Sequence, residues 1–161
     1  MIGSQFLKNA TQPGGTRTAT EGAVRLSIMK LLLSITAIVE AAAGLTLLLI
    51  PTVAASMLLG VPLDTPGGLV TARIAGAALI ALAVACWQAR NGERSSPSTG
   101  VVEAMLLYNF AATVVLVYAG TRLELRSRLL WPAIVLHLGL GAWCLLTLWF
   151  SRRRLKVAAR T

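Results

Sequence analysis

Four polar or ionisable residues stand well inside long apolar runs of this sequence, and they are its candidates for chemistry. There is one in each run: Glu40, Arg73, Asn109 and His137. At ~1.5 Å per helical residue, they lie roughly 12–24 Å from one end of their runs. Ionisable residues at such depth in a membrane often mark a proton or ion pathway, whereas polar side chains there also join helices. Both interpretations, pathway and interhelical contact, are open for this set.

Among these four residues, Glu40 most needs a partner inside the membrane. A charge at the centre of a membrane helix costs about 2.5–3.5 kcal/mol on insertion scales. Keeping the acid neutral at pH 7 costs about 3.7 kcal/mol, at ~1.36 kcal/mol per pH unit above its ordinary pKa. Since the two costs are similar, we expect a partner, either Arg73 for the carboxylate or His137 for the acid. The favoured structural arrangement is a Glu40–Arg73 pair, with Asn109 and His137 hydrogen-bonded across the bundle.

Small residues accompany the polar ones at helical spacing. Residues four apart share a helix face, and small side chains let membrane helices approach closely. The i+4 neighbours are Gly44 for Glu40, Ala77 for Arg73, Thr113 for Asn109 and Gly141 for His137. We therefore expect the polar set in the interior of a bundle. The predicted helix-packing residues are Gly44, Gly76, Ala77 and Gly141.

The apolar runs have the length of membrane spans. The chain has 161 residues, 56% of them hydrophobic and 13% charged, against about 25% charged in soluble domains. The predicted spans are residues 30–50, 68–89, 101–119 and 129–150. The sequence thus predicts an all-α, integral membrane, up-down four-helix bundle.

The segments outside the spans have different roles. Pro51 and Pro62 bound an apolar stretch too short to cross, which predicts a short interfacial helix over residues 51–61. Thr65 or Asp64 is expected to cap the next helix, with Pro66 in its first turn. Residues 1–28 have no period that buries a face, so we predict a flexible basic tail there. Residues 151–161 form a second basic tail.

The charge distribution indicates a membrane orientation. The formal net charge is +9, but the basic residues flank the apolar runs and form no stripe with aromatics, which argues against nucleic acid as a partner. Eleven Lys and Arg residues flank one side of the predicted bundle and three flank the other. Because cytoplasmic loops carry the excess of positive charge, both termini are predicted to be cytoplasmic.

Sequence motifs for other chemistry are absent. Cys86 and Cys144 lie in separate apolar runs without a CxxC spacing, so we interpret them as small core residues, with a redox pair as the alternative. A single histidine and no EXXH pattern argue against a metal site. No serine matches that histidine for a hydrolase triad. We expect no catalytic residue and no cofactor.

The segment Gly-Gly-Leu-Val-Thr-Ala-Arg-Ile-Ala-Gly at 67–76, the four spans and the proline-ended first helix resemble small four-helix bacterial inner-membrane proteins with a DoxX-like layout. The resemblance covers residues 29–150 and implies a location in the bacterial inner membrane. DoxX proteins tend to carry an Arg at the start of the first span and a Gly-x-x-Lys segment at its end. Neither stands here, so the family's link to quinol oxidation is not carried over to any residue.

The expected function follows from short loops and small-residue helix faces. We expect a non-enzymatic accessory or scaffolding subunit, with the lipid bilayer and other membrane proteins, or a second copy, as partners. The first alternative is a small proton-coupled transporter or channel that uses Glu40 and His137. The second alternative is a redox-active membrane protein.

Overall fold

The chain folds into helices joined by short loops. A computed structural model describes residues 14–91 and 96–158. Its helices are α1 (Gly14–Leu49), α2 (Pro51–Leu59), α3 (Pro66–Ala89), α4 (Ser96–Thr121) and α5 (Leu130–Ala158). The four long helices α1, α3, α4 and α5 are long and apolar enough to cross a membrane. The predicted all-α four-helix bundle is confirmed, and the chain is a multi-pass membrane protein.

The first helix begins earlier than predicted. Residues 14–28 were expected to be part of a flexible tail, but they belong to α1. No proline interrupts the chain between Gly14 and Leu49, so helical hydrogen bonds can continue back from the apolar run. Met29 is buried and Leu26 packs against the same core, which anchors this extension. Residues 1–13 lie outside the described residues.

Two other helix ends also differ from the prediction. Helix α4 begins at Ser96 instead of residue 101, and Pro97 stands in its first turn, where a missing N–H costs nothing. Helix α5 continues to Ala158, through most of the segment predicted as a basic tail. Arg and Lys are good helix formers, so that segment does not stop the helix. Residues 92–95 and 159–161 lie outside the described part.

The connection between α1 and α3 follows the local sequence rules. Pro51 occupies the first turn of α2, and Gly60 ends the helix with φ of 79°, a left-handed conformation that favours glycine. The short helix predicted over residues 51–61 is therefore present. Thr65 caps α3, because its Oγ1 accepts a hydrogen bond from the Gly68 amide at 3.1 Å. That cap is as predicted.

The bundle consists of two helix pairs. Helix α1 packs mainly on α3, and α4 packs mainly on α5, while contacts between these two pairs are few. One core cluster joins the pairs. Its most deeply buried members are Leu32, Leu33, Cys86, Val102, Met105 and Cys144. At the opposite end, Leu58 and Leu59 of α2 pack against Leu116, Leu130 and Ile134, so α2 closes that end of the bundle.

Helices α1 and α3 touch through glycine. A Cβ added to Gly44 would lie 2.7 Å from the Gly76 carbonyl oxygen, and one added to Gly76 would lie 2.6 Å from the Gly44 carbonyl oxygen. Both distances are too short for real Cβ contacts, and the atoms met belong to the backbone. The predicted packing role of these two glycines is therefore confirmed, and the contact requires glycine on both helices.

Replacing Gly44 with alanine should force α1 and α3 apart. Overpacking of this kind typically costs about 1–3 kcal/mol, so the free energy of unfolding measured in mild detergent should fall by that amount. Gly139→Ala on α5 is the matched control, because no atom lies within 4 Å of its added Cβ. Equal stability of the Gly44→Ala and Gly139→Ala variants would contradict the close contact.

Candidate functional site

Glu40 carries a carboxyl that is buried inside the bundle. It lies on α1 with an exposed fraction of 1%. Its carboxyl shares a side-chain hydrogen bond with Tyr108 of α4. The Oε1 atom is buried and has no hydrogen-bond partner among the described residues. Glu40 therefore makes a polar contact between the α1/α3 pair and the α4/α5 pair, and its Oε1 atom takes no part in that contact.

Tyr108 is the functional residue that sequence reasoning missed. Its ring contacts the imidazole of His137 edge-on, with centroids 5.7 Å apart and an interplanar angle of 78°. The tyrosine therefore contacts Glu40 with its hydroxyl and His137 with its ring. A usable signal exists in the sequence, since a tyrosine in mid-span must find a hydrogen-bond partner for its hydroxyl when it is buried.

Asn109 and His137 join α4 to α5. The Asn109 Oδ1 and His137 Nδ1 atoms are 2.9 Å apart. Asn109 also donates from Nδ2 to the Met105 carbonyl at 2.8 Å, so its Oδ1 is the acceptor toward the histidine. This network assigns the proton to His137 Nδ1 and leaves Nε2 as an acceptor. The predicted hydrogen bond across the bundle between these two residues is confirmed.

Arg73 is not part of this cluster. Its side chain is exposed on α3, and the hydrogen bond of Glu40 goes to Tyr108. Helices α1 and α3 run antiparallel and meet at Gly44 and Gly76. Glu40 and Arg73 each precede the glycine of their own helix. Because the helices are antiparallel, the two residues lie on opposite sides of the glycine contact, about 10 Å apart along the helix axes at ~1.5 Å per residue. The structure therefore does not form the expected Glu40–Arg73 pair.

The other two predicted packing residues differ from the glycine pair. A Cβ on Gly141 would lie 3.6 Å from the Asn109 Cβ, which is an ordinary van der Waals contact. Ala77 is exposed, on the same side of α3 as Arg73. The prediction that Ala77 faces the interior is therefore wrong, because the contact face of α3 is the one that carries Ala72, Gly76 and Ala83.

The two cysteines lie in the core between the helix pairs. Cys86 and Cys144 are buried free thiols in the cluster that joins the pairs. Their interpretation as core residues agrees with this placement. Among the described residues, no group of three or more His, Cys, Asp and Glu side chains has the arrangement of a metal site.

The side chains of this cluster contact one another in a row across the bundle. Their spatial order is Glu40, Tyr108, His137 and Asn109. Hydrogen bonds join the first two side chains and the last two. The middle contact is between rings. A carboxyl and an imidazole are both groups that can bind a proton. The described side chains thus offer proton binding in the membrane interior.

Comparison with known proteins gives no relative for this chain. No family model, no curated protein and no solved structure matches it. The function must therefore be inferred from the fold and from the side-chain cluster.

The stability of the bundle should not depend on Arg73. Since its side chain is exposed, Arg73→Ala should change the free energy of unfolding in detergent by no more than ~0.5 kcal/mol. Glu40→Ala should lower it, because the Tyr108 hydroxyl loses its partner and a cavity forms. The double variant should show the sum of the single effects, measured by denaturation of all four proteins. A double variant more stable than that sum would indicate that Glu40 and Arg73 interact, and would contradict their separation.

Proposed function

We propose that this protein is a non-enzymatic accessory or scaffolding subunit of a membrane assembly, and that it docks through the exposed face of α3. The observation that carries the proposal is the position of Arg73. Its side chain is exposed on a membrane-spanning helix, and Ala77 and Ala81 follow it on the same face. A cation facing lipid is costly, so this position favours a face that is covered by a partner.

The chemistry of the face indicates which partner it fits. A carboxylate on a neighbouring membrane helix would compensate the guanidinium, and Arg binds carboxylates in a planar, two-point geometry. Ala77 and Ala81 leave room for the backbone of such a helix to approach. The described loops are short and leave no separate domain for catalysis, which agrees with a docking role. We therefore propose another membrane protein with an acidic side chain in its span as the partner.

The orientation completes the proposal. The excess of Lys and Arg on one side supports cytoplasmic termini in a bacterial inner membrane. In that orientation, α3 begins at the outer surface and Arg73 lies in the outer half of the bilayer, about 10 Å below Pro66 at ~1.5 Å per residue. The acidic side chain of the partner is then expected at the same depth.

A second candidate function rests on a different observation. Glu40 Oε1 is buried without a partner, and ionisable residues at such depth often serve in proton pathways. A small proton-coupled transporter or channel that uses Glu40 and His137 is therefore the alternative. It requires no second protein, which separates it from the subunit.

The docking proposal is tested by asking whether co-purification of a partner protein depends on the positive charge of Arg73. The tagged full chain is purified in mild detergent from membranes of its native host, as wild type, Arg73→Glu and Arg122→Glu. Arg122 is an exposed basic residue in the loop after α4 and serves as the matched control. We expect another membrane protein to co-purify with wild type and Arg122→Glu and to be lost from Arg73→Glu.

Two results would contradict this expectation. If Arg73→Glu retained the co-purifying protein, docking would not use this face. If wild type purified only with copies of itself, the subunit proposal would be wrong and the transporter or channel would be favoured. Proton flux would then be measured with the protein in proteoliposomes.

A further inference from the structure

We infer that Glu40 is a proton-binding site whose ionisation loosens the contact between the α1/α3 pair and the α4/α5 pair. This inference concerns the interior of the bundle. It does not depend on which protein covers the Arg73 face.

The Glu40 carboxyl lies in the interior of the bundle, with an exposed fraction of 1%. The Tyr108 hydroxyl of α4 shares a hydrogen bond with it, and the Cys86 thiol of α3 and the Cys144 thiol of α5 lie in the core cluster between the pairs. His137 of α5 approaches only the ring of Tyr108. Arg73 points away, so no described cation compensates a negative charge here. Ionisation of Glu40 thus places a charge in the interior with one hydrogen-bond donor and one unpartnered oxygen.

The helices are in more extensive contact within each pair than between the pairs. Helices α1 and α3 are held by the glycine contact, and α4 and α5 are held by the Asn109–His137 hydrogen bond. Contacts between the pairs are few by comparison. A carboxylate that draws in water will therefore open the junction between the pairs before it opens either pair. Protonation of Glu40 removes the charge and lets the junction close.

Native thiols report on this junction. Cys86 and Cys144 have exposed fractions of 0% and 1% and lie in the core cluster shared by both pairs. Their alkylation by N-ethylmaleimide requires the junction to open. The rate is measured for the purified full chain in detergent between about pH 5 and about pH 8, a range centred near neutral pH. Glu40→Gln keeps both thiols and gives the pH dependence of their alkylation without the carboxylate. Because a nearby carboxylate disfavours a thiolate, that electrostatic effect would lower the wild-type rate and cannot produce the expected rise.

The ratio of the wild-type rate to the Glu40→Gln rate is the decisive quantity. We expect it to be close to one at low pH and to rise about tenfold or more with pH. The penalty for a charge at the centre of a membrane helix corresponds to a factor of about 100 in an equilibrium. Asp64→Asn, which removes an exposed acid in the loop before α3, should reproduce the wild-type profile.

A ratio that stays flat across this pH range would overturn the inference, and so would an Asp64→Asn profile that lost the rise. If Glu40→Gln fails to fold, the wild-type rate is divided by the rate of a small thiol peptide under the same conditions. That quotient should also rise with pH, and a flat or falling quotient would equally overturn the inference.

Discussion

A carboxyl inside a membrane bundle needs a polar partner from another helix, because neither water nor lipid can satisfy it there. In this protein that partner is the Tyr108 hydroxyl, and the contact joins two helix pairs that otherwise meet mainly through the apolar cluster around Leu32, Met105 and Cys144. Glu40 thus adds a polar contact to the apolar junction between the pairs. This contact also explains why the histidine lies nearby, since the Tyr108 ring that reaches Glu40 packs on His137.

The rest of the bundle positions this contact. Gly44, one turn after Glu40, brings the α1 backbone against α3 and so fixes the rotation of α1. Asn109 does the same for α4 by binding His137 of α5. Helix α2 covers the far end of the α4/α5 pair, and the Ser127 hydroxyl donates to the Met57 carbonyl there. Extensive contacts within each pair and fewer contacts between the pairs are the structural basis of the inferred response to protonation.

Local patterns predicted much of this fold and part of the site. Apolar length located four spans, proline and threonine located the ends of α2 and α3, and glycine located the α1–α3 contact. The face of α3 could not be predicted, because alanine or glycine occurs on all sides of it and any rotation would pack. Arg73 and Ala77 were therefore placed inside although they lie outside. Tyr108 was missed because its partner comes from a different helix pair, whose rotation no local spacing determines.

The central claim is that Glu40 is bound by Tyr108, and a double-mutant cycle tests it most directly. The free energy of unfolding in detergent is compared for wild type, Glu40→Ala, Tyr108→Phe and the double variant. Because interhelical hydrogen bonds in membranes contribute about 0.6–1.7 kcal/mol, the two changes should be coupled by an energy in that range. Effects that add within ~0.3 kcal/mol would show that the two side chains do not interact, and would contradict the account.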